Sequence, residues 1–451
     1  MKKLFVLNGG AAVRPGNKSA YLKFDDPLTA FRHGGINTGD VLVYDAMLKA
    51  LNYDQIRNLQ FSHAGDQTLW PAPDSYDETV IRGSNYLTEG LDLGHLVPLL
   101  KALKGPIVGI GIGAQAAKYK RMSIPAGTVE AWKIIADKSE SIGVRGFYSA
   151  EVFNDIGIKN VRVIGCPSFY RSLKPSITIR KADAATARIG LTLNKYLSAD
   201  YASNAIKTNR MQRALIEAVA ERPASRLYSQ GEREETLAIF SHGKEKQDNI
   251  KSILAKFNLA GRPEAQEMLS SRMAAFFDID QWAADAAANI DVMMGFRLHG
   301  NVIALHQGLP AIFFTYDTRI RELASLFAVP SVEVEDYQPI NIGALLERAD
   351  FSRVEAIYRQ NYAEYHRFLT ENGLVHGLPK PFAEPPRAPL ATPNLVEVSP
   401  SRDESAAWFR SEIDFMTGEI ETLRGRAWNL ETALRKAIPA RVPPAHAKAT
   451  A

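Results

Sequence analysis

Arg297 and His299 stand two residues apart in Asp291-Val-Met-Met-Gly-Phe-Arg-Leu-His-Gly-Asn-Val-Ile-Ala-Leu-His-Gln-Gly-Leu-Pro-Ala-Ile-Phe-Phe-Thr-Tyr-Asp317. The pattern predicts a strand, a tight turn, a helix and a second strand. The turn would put a guanidinium and an imidazole at the mouth of the helix. Helix starts carry unpaired backbone N–H groups and the positive end of a dipole. The combination suits a phosphate or a carboxylate. Arginine can grip either anion bidentately, and histidine can donate to it or pass a proton. The plainer alternative is a buried structural histidine beside an arginine paired with a carboxylate. Gly295 and Gly300 flank the turn and permit close approach.

Other loops fall where predicted strands end. Gly34-Gly-Ile-Asn37-Thr-Gly39-Asp40 precedes a helix. Asp40 there is either a carboxylate favoured by the helix dipole or a base facing a cleft. Gly83-Ser84-Asn85 follows the run Thr79–Arg82, and Gly109-Ile-Gly-Ile-Gly113-Ala-Gln115 follows another. The second imitates a dinucleotide fingerprint but lacks its spacing. Arg145 ends Ser141–Val144 and points toward a cleft or lies on the surface. Tyr316-Asp317 leads to Arg319 and Arg321, which either reach an anion or are solvated. His33, His63, His95, His242 and His306 form no spaced set. The single cysteine, Cys166, reads as a small buried hydrophobe, and no metal-ligand spacing occurs.

The elements that would position these residues alternate along the chain. Predicted strands are Lys3–Leu7, Thr79–Gly83, Pro106–Ile110, Ser141–Val144 and Val161–Ile164. Predicted helices are Gly39–Leu51, Leu91–Leu103, Thr128–Ser139 and Tyr148–Ile156. A second series begins at the strand Arg188–Leu193. Then come the helix Arg210–Glu221, the strands Arg226–Ser229 and Ala274–Phe277, and the helix Asp280–Ala288. The 291–317 unit, the helix Thr318–Phe327 and the strand Ser331–Val334 follow, and the helix Val354–Glu371 closes the second unit. Such alternation implies an α/β protein with parallel sheets covered on both faces. The expectation is two Rossmann-like domains, 1–175 and 185–375, facing across a cleft with ligands at the carboxyl ends of the strands.

A proline-rich linker over 376–402 follows. Apolar residues from Phe409 to Leu434 then recur at heptad spacing, which predicts a helix over 403–436 that self-associates as a coiled coil, the alternative being an amphipathic helix folded back on its own domain, with a disordered tail at 437–451. The 451 residues carry a formal net charge of +4 and 46% hydrophobic residues. That allows a sizeable core and gives no argument for nucleic acid. Met1-Lys-Lys-Leu-Phe-Val-Leu7 imitates a signal peptide but is too short, and no run reaches membrane-spanning length. A cytoplasmic protein is expected, with peripheral access to a lipid-linked acceptor.

Together these motifs resemble the polysaccharide pyruvyl transferase family. The resemblance rests on Gly295-Phe-Arg-Leu-His-Gly300 with Ala304-Leu-His-Gln-Gly-Leu-Pro310, on Tyr316-Asp317, on Val144-Arg145 with Ser149-Ala-Glu151, and on Asn37-Thr-Gly-Asp40. It spans about residues 1–375. The chain departs from the family pattern at Arg145-Gly146, Gly83-Ser84-Asn85 and Arg319. The resemblance implies a two-domain fold of the GT-B kind. It implies transfer of a pyruvyl group from phosphoenolpyruvate to a sugar of a surface polysaccharide or its precursor as a ketal, with no cofactor and no metal. Under it, Arg297, the Leu298–Gly300 backbone and His299 form one anion clamp and Arg145 the other. His299 is the general acid, its pKa raised beside an anion, and Asp40 the base. Asn37, Gly39, Ser84, Asn85, Gly113, Tyr316 and Arg319 complete the substrate site. The acceptor would lie against the first domain and phosphoenolpyruvate on the second. Competing readings are a GT-B glycosyltransferase using a nucleotide sugar and a non-catalytic sugar-binding or assembly subunit.

Overall fold

The computed structural model describes residues 2–9, 37–194, 201–336, 340–382, 394–396, and 410, 413, 416–418, 420–421, 424–425 and 427–433. The chain forms two compact units, residues 1–398 and 399–451. In the second unit the described residues are helical, and Ile413, Met416, Ile420 and Leu430 are exposed. Much of the predicted heptad helix, and the whole tail 437–451, lie outside the described residues.

The first unit holds two parallel six-stranded sheets. One contains β1 (Lys3–Asn8), β2 (Gln55–Gln60), β3 (Glu78–Arg82), β4 (Ile107–Ile112), β5 (Ile142–Val144) and β6 (Val161–Val163), in the order β2-β1-β3-β4-β5-β6. The other contains β7 (Ile189–Thr192), β8 (Arg226–Ser229), β9 (Met273–Ala275), β10 (Val292–Gly295), β11 (Ala311–Thr315) and β12 (Ser331–Glu333), in the order β12-β11-β10-β7-β8-β9. Every pairing is parallel. Each order reverses once, between β1 and β3 and between β7 and β10, and doubly wound sheets take ligands at such reversals. The architecture is the predicted α/β pair of parallel, Rossmann-like sheets.

Central strands are buried throughout because helices cover both faces: every residue of β3, β4, β10 and β11 is buried, the charged ends of β3, Glu78 and Arg82, included. β2 escaped the sequence reading for the opposite reason. It is an edge strand, largely polar, with one buried residue, Leu59. Helices α1 (Thr38–Ala50), α2 (Val97–Ala102), α3 (Ala126–Asp137) and α4 (Phe147–Asp155) accompany the first sheet. Helices α5 (Ala205–Ala220), α6 (Arg233–Phe240), α7 (Gly243–Lys256), α8 (Pro263–Ser271), α9 (Ile279–Asn289), α10 (Leu298–His306), α11 (Thr318–Leu326) and α12 (Ile342–Arg348) accompany the second. The sequence reading missed α6, α7 and α8, which fill the gap between β8 and β9.

One apolar cluster joins Val41, Leu42 and Met47 of α1 to Ile189, Leu191, Val302 and Ile303 of the second half. The crossover from β6 to β7 carries the buried Cys166 and a turn of 3-10 helix, Pro167–Tyr170. Phe169 stacks on Phe327, with centroids 3.8 Å apart and planes 5° apart. Arg171 is buried between Asp45 of α1 and Asp280 of α9, so a cation bonds both halves.

The expectation for Val354–Glu371 needs correcting. This helix, α13, returns to the first sheet rather than only closing the second. Arg162 of β6 pairs with Glu371, and Asn372 bonds both the backbone and the hydroxyl of Ser141. Beyond it, Asn52 N donates to Val375 O and Gly377 N to Ala50 O, both near the end of α1. Periodicity located the helix, but the face it covers depends on distant partners that no local pattern specifies.

Candidate active site

The start of α1 and the segments after β3, β4 and β5 meet those after β8, β10 and β11. Asn37 caps α1, its side-chain oxygen accepting from Gly39 N at 3.0 Å. Thr38 N then donates across to the Gln230 carbonyl at 2.9 Å. Gly39 lies flat against His299, where a Cβ would collide with Nδ1. His299 is therefore wedged between α10, which carries it, and the start of α1 in the other half.

Four arginines surround that imidazole. Arg82 ends β3 and Arg145 follows β5; Arg297 precedes α10 and Arg319 lies in the first turn of α11. Three have carboxylate partners. Arg82 Nη1 lies 3.2 Å from Asp40, Arg319 Nη2 lies 3.2 Å from Asp317, and Arg297 turns Nε and Nη2 to Glu232. Arg145 has none among the described residues. Its Nη1 donates to the amide oxygen of Asn85 at 2.6 Å. Asn85 bonds Gln115, and Gln115 bonds Asp317 at 3.0 Å, so an amide chain links Arg145 to the second half. Gly113 makes room for this, because a Cβ there would lie 2.8 Å from both Arg145 Cδ and Asn85 Oδ1.

Several nitrogens in this place are buried and without a hydrogen-bond partner: Arg82 Nη2, Arg145 Nε, Arg319 Nε and His299 Nε2. Buried polar groups ordinarily find partners. Three guanidinium donors and one imidazole nitrogen are thus left without partners in the same cleft, a set suited to an anion. Burial first, then Arg145, Arg319, Arg82 and Arg297, hold the His299 imidazole well below its ordinary range. The protein's own groups therefore keep it neutral. The expected upward shift needs an added anion to reverse the field of the guanidiniums.

The structure revises the expected clamp at α10. Gly300 N donates to Gln230 Oε1 at 2.5 Å, so that amide is already satisfied. Arg297 is held by Glu232, whose second oxygen accepts from Gln230 N at 3.2 Å. Leu298 is buried, 3% exposed, and belongs to the apolar cluster. Ser84 contributes its carbonyl, which accepts from Gly113 N at 2.8 Å. Tyr316 is buried, its hydroxyl accepting from Asn194 at 2.5 Å and from Arg319 at 2.9 Å. Burial pushes that phenol up to about 12, so it stays protonated.

Arg82, Gln230, Glu232 and Glu322 escaped the sequence reading. Arg82 carried a usable signal, a charge closing an otherwise buried strand. Glu322 carried none. It projects from α11 to the start of α4 in the other half, where its carboxyl accepts from Ser149 Oγ at 2.7 Å and from Ser149 N at 3.2 Å. Burial raises it to about 7, with Arg145 opposing and Asp317 reinforcing; Tyr119 and Tyr148 also face it. A carboxyl raised on folding contributes stability that is complete below its unfolded value and is lost as pH rises through the folded one. Between pH 5 and pH 8 the wild type should therefore lose thermal stability relative to Glu322→Gln, by on the order of a few kcal/mol. Parallel unfolding curves for the two proteins across that range would contradict the assignment.

The family model for polysaccharide pyruvyl transferase matches residues 37–318, a span that contains Arg82, Arg145 and Arg297 together with His299 and Asp40, and ends one residue before Arg319. The chain belongs to that family. The family indicates a transferase for which a sugar acceptor is plausible. No curated protein matches the sequence. Among solved structures, the chain is similar to a functionally uncharacterised protein of Klebsiella pneumoniae, at 11% identity and a TM-score of 0.31, covering 72% of this chain and 87% of that one. It is also similar to a putative UDP-N-acetylglucosamine 2-epimerase of Listeria monocytogenes, at 9% identity and a TM-score of 0.41, covering 82% and 95%. A UDP-N-acetylglucosamine 2-epimerase of Rickettsia bellii gives 11%, 0.41, 82% and 95%. Among the described residues of this pyruvyl transferase family member, no helix is long and apolar enough to cross a membrane, and no acidic, histidine or cysteine cluster could hold a metal.

Proposed function

We propose that this chain moves the pyruvyl group of phosphoenolpyruvate onto a sugar of a polysaccharide or its precursor, as a ketal. The observation that carries the reading is the ring of buried, unmet guanidinium donors around a neutral imidazole. Phosphoenolpyruvate presents a carboxylate and a phosphate on adjacent positions, and such a ring answers both.

In this reading the arginines hold the two anionic groups and His299 delivers a proton to the methylene carbon. Positive charge develops at the central carbon, and a sugar hydroxyl bonds to it, losing its proton to Asp40. A second hydroxyl of the same sugar then displaces phosphate and closes the ketal, its proton leaving with the phosphate, while the proton on Asp40 returns to His299 through solvent. The products are the pyruvylated sugar and inorganic phosphate, so atoms and charge balance. The Arg82 guanidinium beside Asp40 fixes that carboxylate near the start of α1.

The test incubates the full chain with phosphoenolpyruvate and oligosaccharide acceptors, reading phosphate release and the mass gained by the sugar. A parallel thermal-shift series compares phosphoenolpyruvate with UDP and GDP sugars. Stabilisation by phosphoenolpyruvate and a pyruvylated product are expected. Stabilisation by nucleotide sugars alone would replace this reading with glycosyl transfer.

A further inference from the structure

β3 needs no charge at its end, yet it closes on Arg82, which is 1% exposed. The residue sits beside β1, where the order of the first sheet reverses and ligands of doubly wound sheets lie. Its Nε donates to Asn8 Oδ1 at 2.5 Å, and its Nη1 to the Gly83 carbonyl at 3.1 Å and to Asp40 at 3.2 Å. These bonds fix the plane of the guanidinium. They leave Nη2 buried and without an acceptor. A buried guanidinium donor left unmet is costly, and an arriving acceptor oxygen would remove the cost.

The charges decide what that acceptor belongs to. Asp40, Glu232 and Asp317 offset three of the four guanidiniums, and Glu322 acts on the fourth, Arg145, so at most one net positive charge remains beside the neutral imidazole. A carboxylate together with a phosphate brings more negative charge than this. No cation remains over for an acidic acceptor, so the open donor on Arg82 is needed by the donor substrate. Arg82 also lies near enough to His299 to act on its protonation.

We propose that Arg82 is a donor-binding residue, its Nη2 donating to an anionic oxygen of the enol phosphate, so that both sheets grip the donor: Arg82 and Arg145 from the first, Arg319 and His299 from the second. The inference rests on the reading of this cleft as a phosphoenolpyruvate site, and it moves the donor from the second half alone to the line between the halves.

Calorimetric titration of the full chain with two probes, inorganic phosphate and pyruvate, separates the two anionic sources. Arg82→Lys keeps a cation beside Asp40 but cannot supply Nη2, and Arg82→Gln removes the charge. At least tenfold weaker phosphate binding by Arg82→Lys, with its unfolding midpoint near that of the wild type, places the contact on the phosphoryl group. The same loss for pyruvate alone places it on the carboxylate. Wild-type-like binding of both probes by folded Arg82→Lys overturns the proposal, and should Arg82→Gln fail to fold, Arg82→Lys decides. Weakened binding without transfer to any sugar would keep Arg82 as an anion ligand and remove the pyruvyl reading. Transfer with unweakened binding would remove only Arg82. Binding of neither probe to the wild type overturns both.

Discussion

His299→Gln is expected to slow pyruvyl transfer by about 10²–10⁴-fold, the usual worth of a positioned general acid. Glutamine keeps a donor and similar bulk beside Gly39, so donor affinity should change far less than turnover. The informative measurement is the proton itself. Burial and four guanidiniums keep the imidazole neutral, so it cannot start the cycle as an acid. A bound dianion or trianion reverses that field and raises the imidazole, so donor binding should take up a proton. Calorimetry of phosphoenolpyruvate binding near pH 7.5, in buffers of different ionisation enthalpy, should show uptake that His299→Gln loses. Equal uptake in both proteins would mean that the proton goes elsewhere. The stability linkage runs the other way from Glu322. A histidine depressed on folding contributes stability present above its unfolded value, and that contribution is lost as pH falls. The two slopes partly cancel between pH 5 and pH 7, and each single variant should unmask the other.

Arg145→Met should separate function from stability. Arg145 is 2% exposed, and its described partner is an amide, not a carboxylate. A buried cation without a counter-ion is a burden on the fold, and an apolar side chain of similar length removes it. The unfolding midpoint should hold or rise. Transfer should fall by about 10²–10³-fold, the scale of losing one preorganised donor to developing charge. A large fall in midpoint with unchanged donor affinity would show that Arg145 is structural.

Strand–helix alternation made the two sheets legible, because parallel strands buried on both faces are apolar runs that composition cannot hide. Arg297, His299, Arg145 and Arg319 were legible because each follows such a run. Their partners were not. Glu232 lies 65 residues from Arg297, a pairing that exists only once β8 and β10 share a sheet, and Glu322 lies 173 from Ser149, a pairing that exists only once the two sheets face each other. The tone of the site was hidden for the same reason. Beside His299 alone, an arginine two residues away suggested an anion clamp. Around the folded His299 stand four arginines from four separate segments, and with burial their sum lowers its pKa.

The return of α13 to the first sheet has a mechanical consequence. The halves are joined twice, once through Cys166–Arg171 and once through the helix that ends at Asn372. Two joints define an axle. A swing about that axle would strain few of the contacts between the halves at the joints themselves. Sliding would break the Arg162–Glu371 pair, the Asn372–Ser141 bonds and the aromatic stack at Phe169 together. At the mouth the halves are also bonded, Thr38 N to the Gln230 carbonyl, Gln115 to Asp317 and Ser149 to Glu322, so any opening of the cleft between Arg82 and Arg145 on one side and Arg297 and Arg319 on the other must break these bonds first.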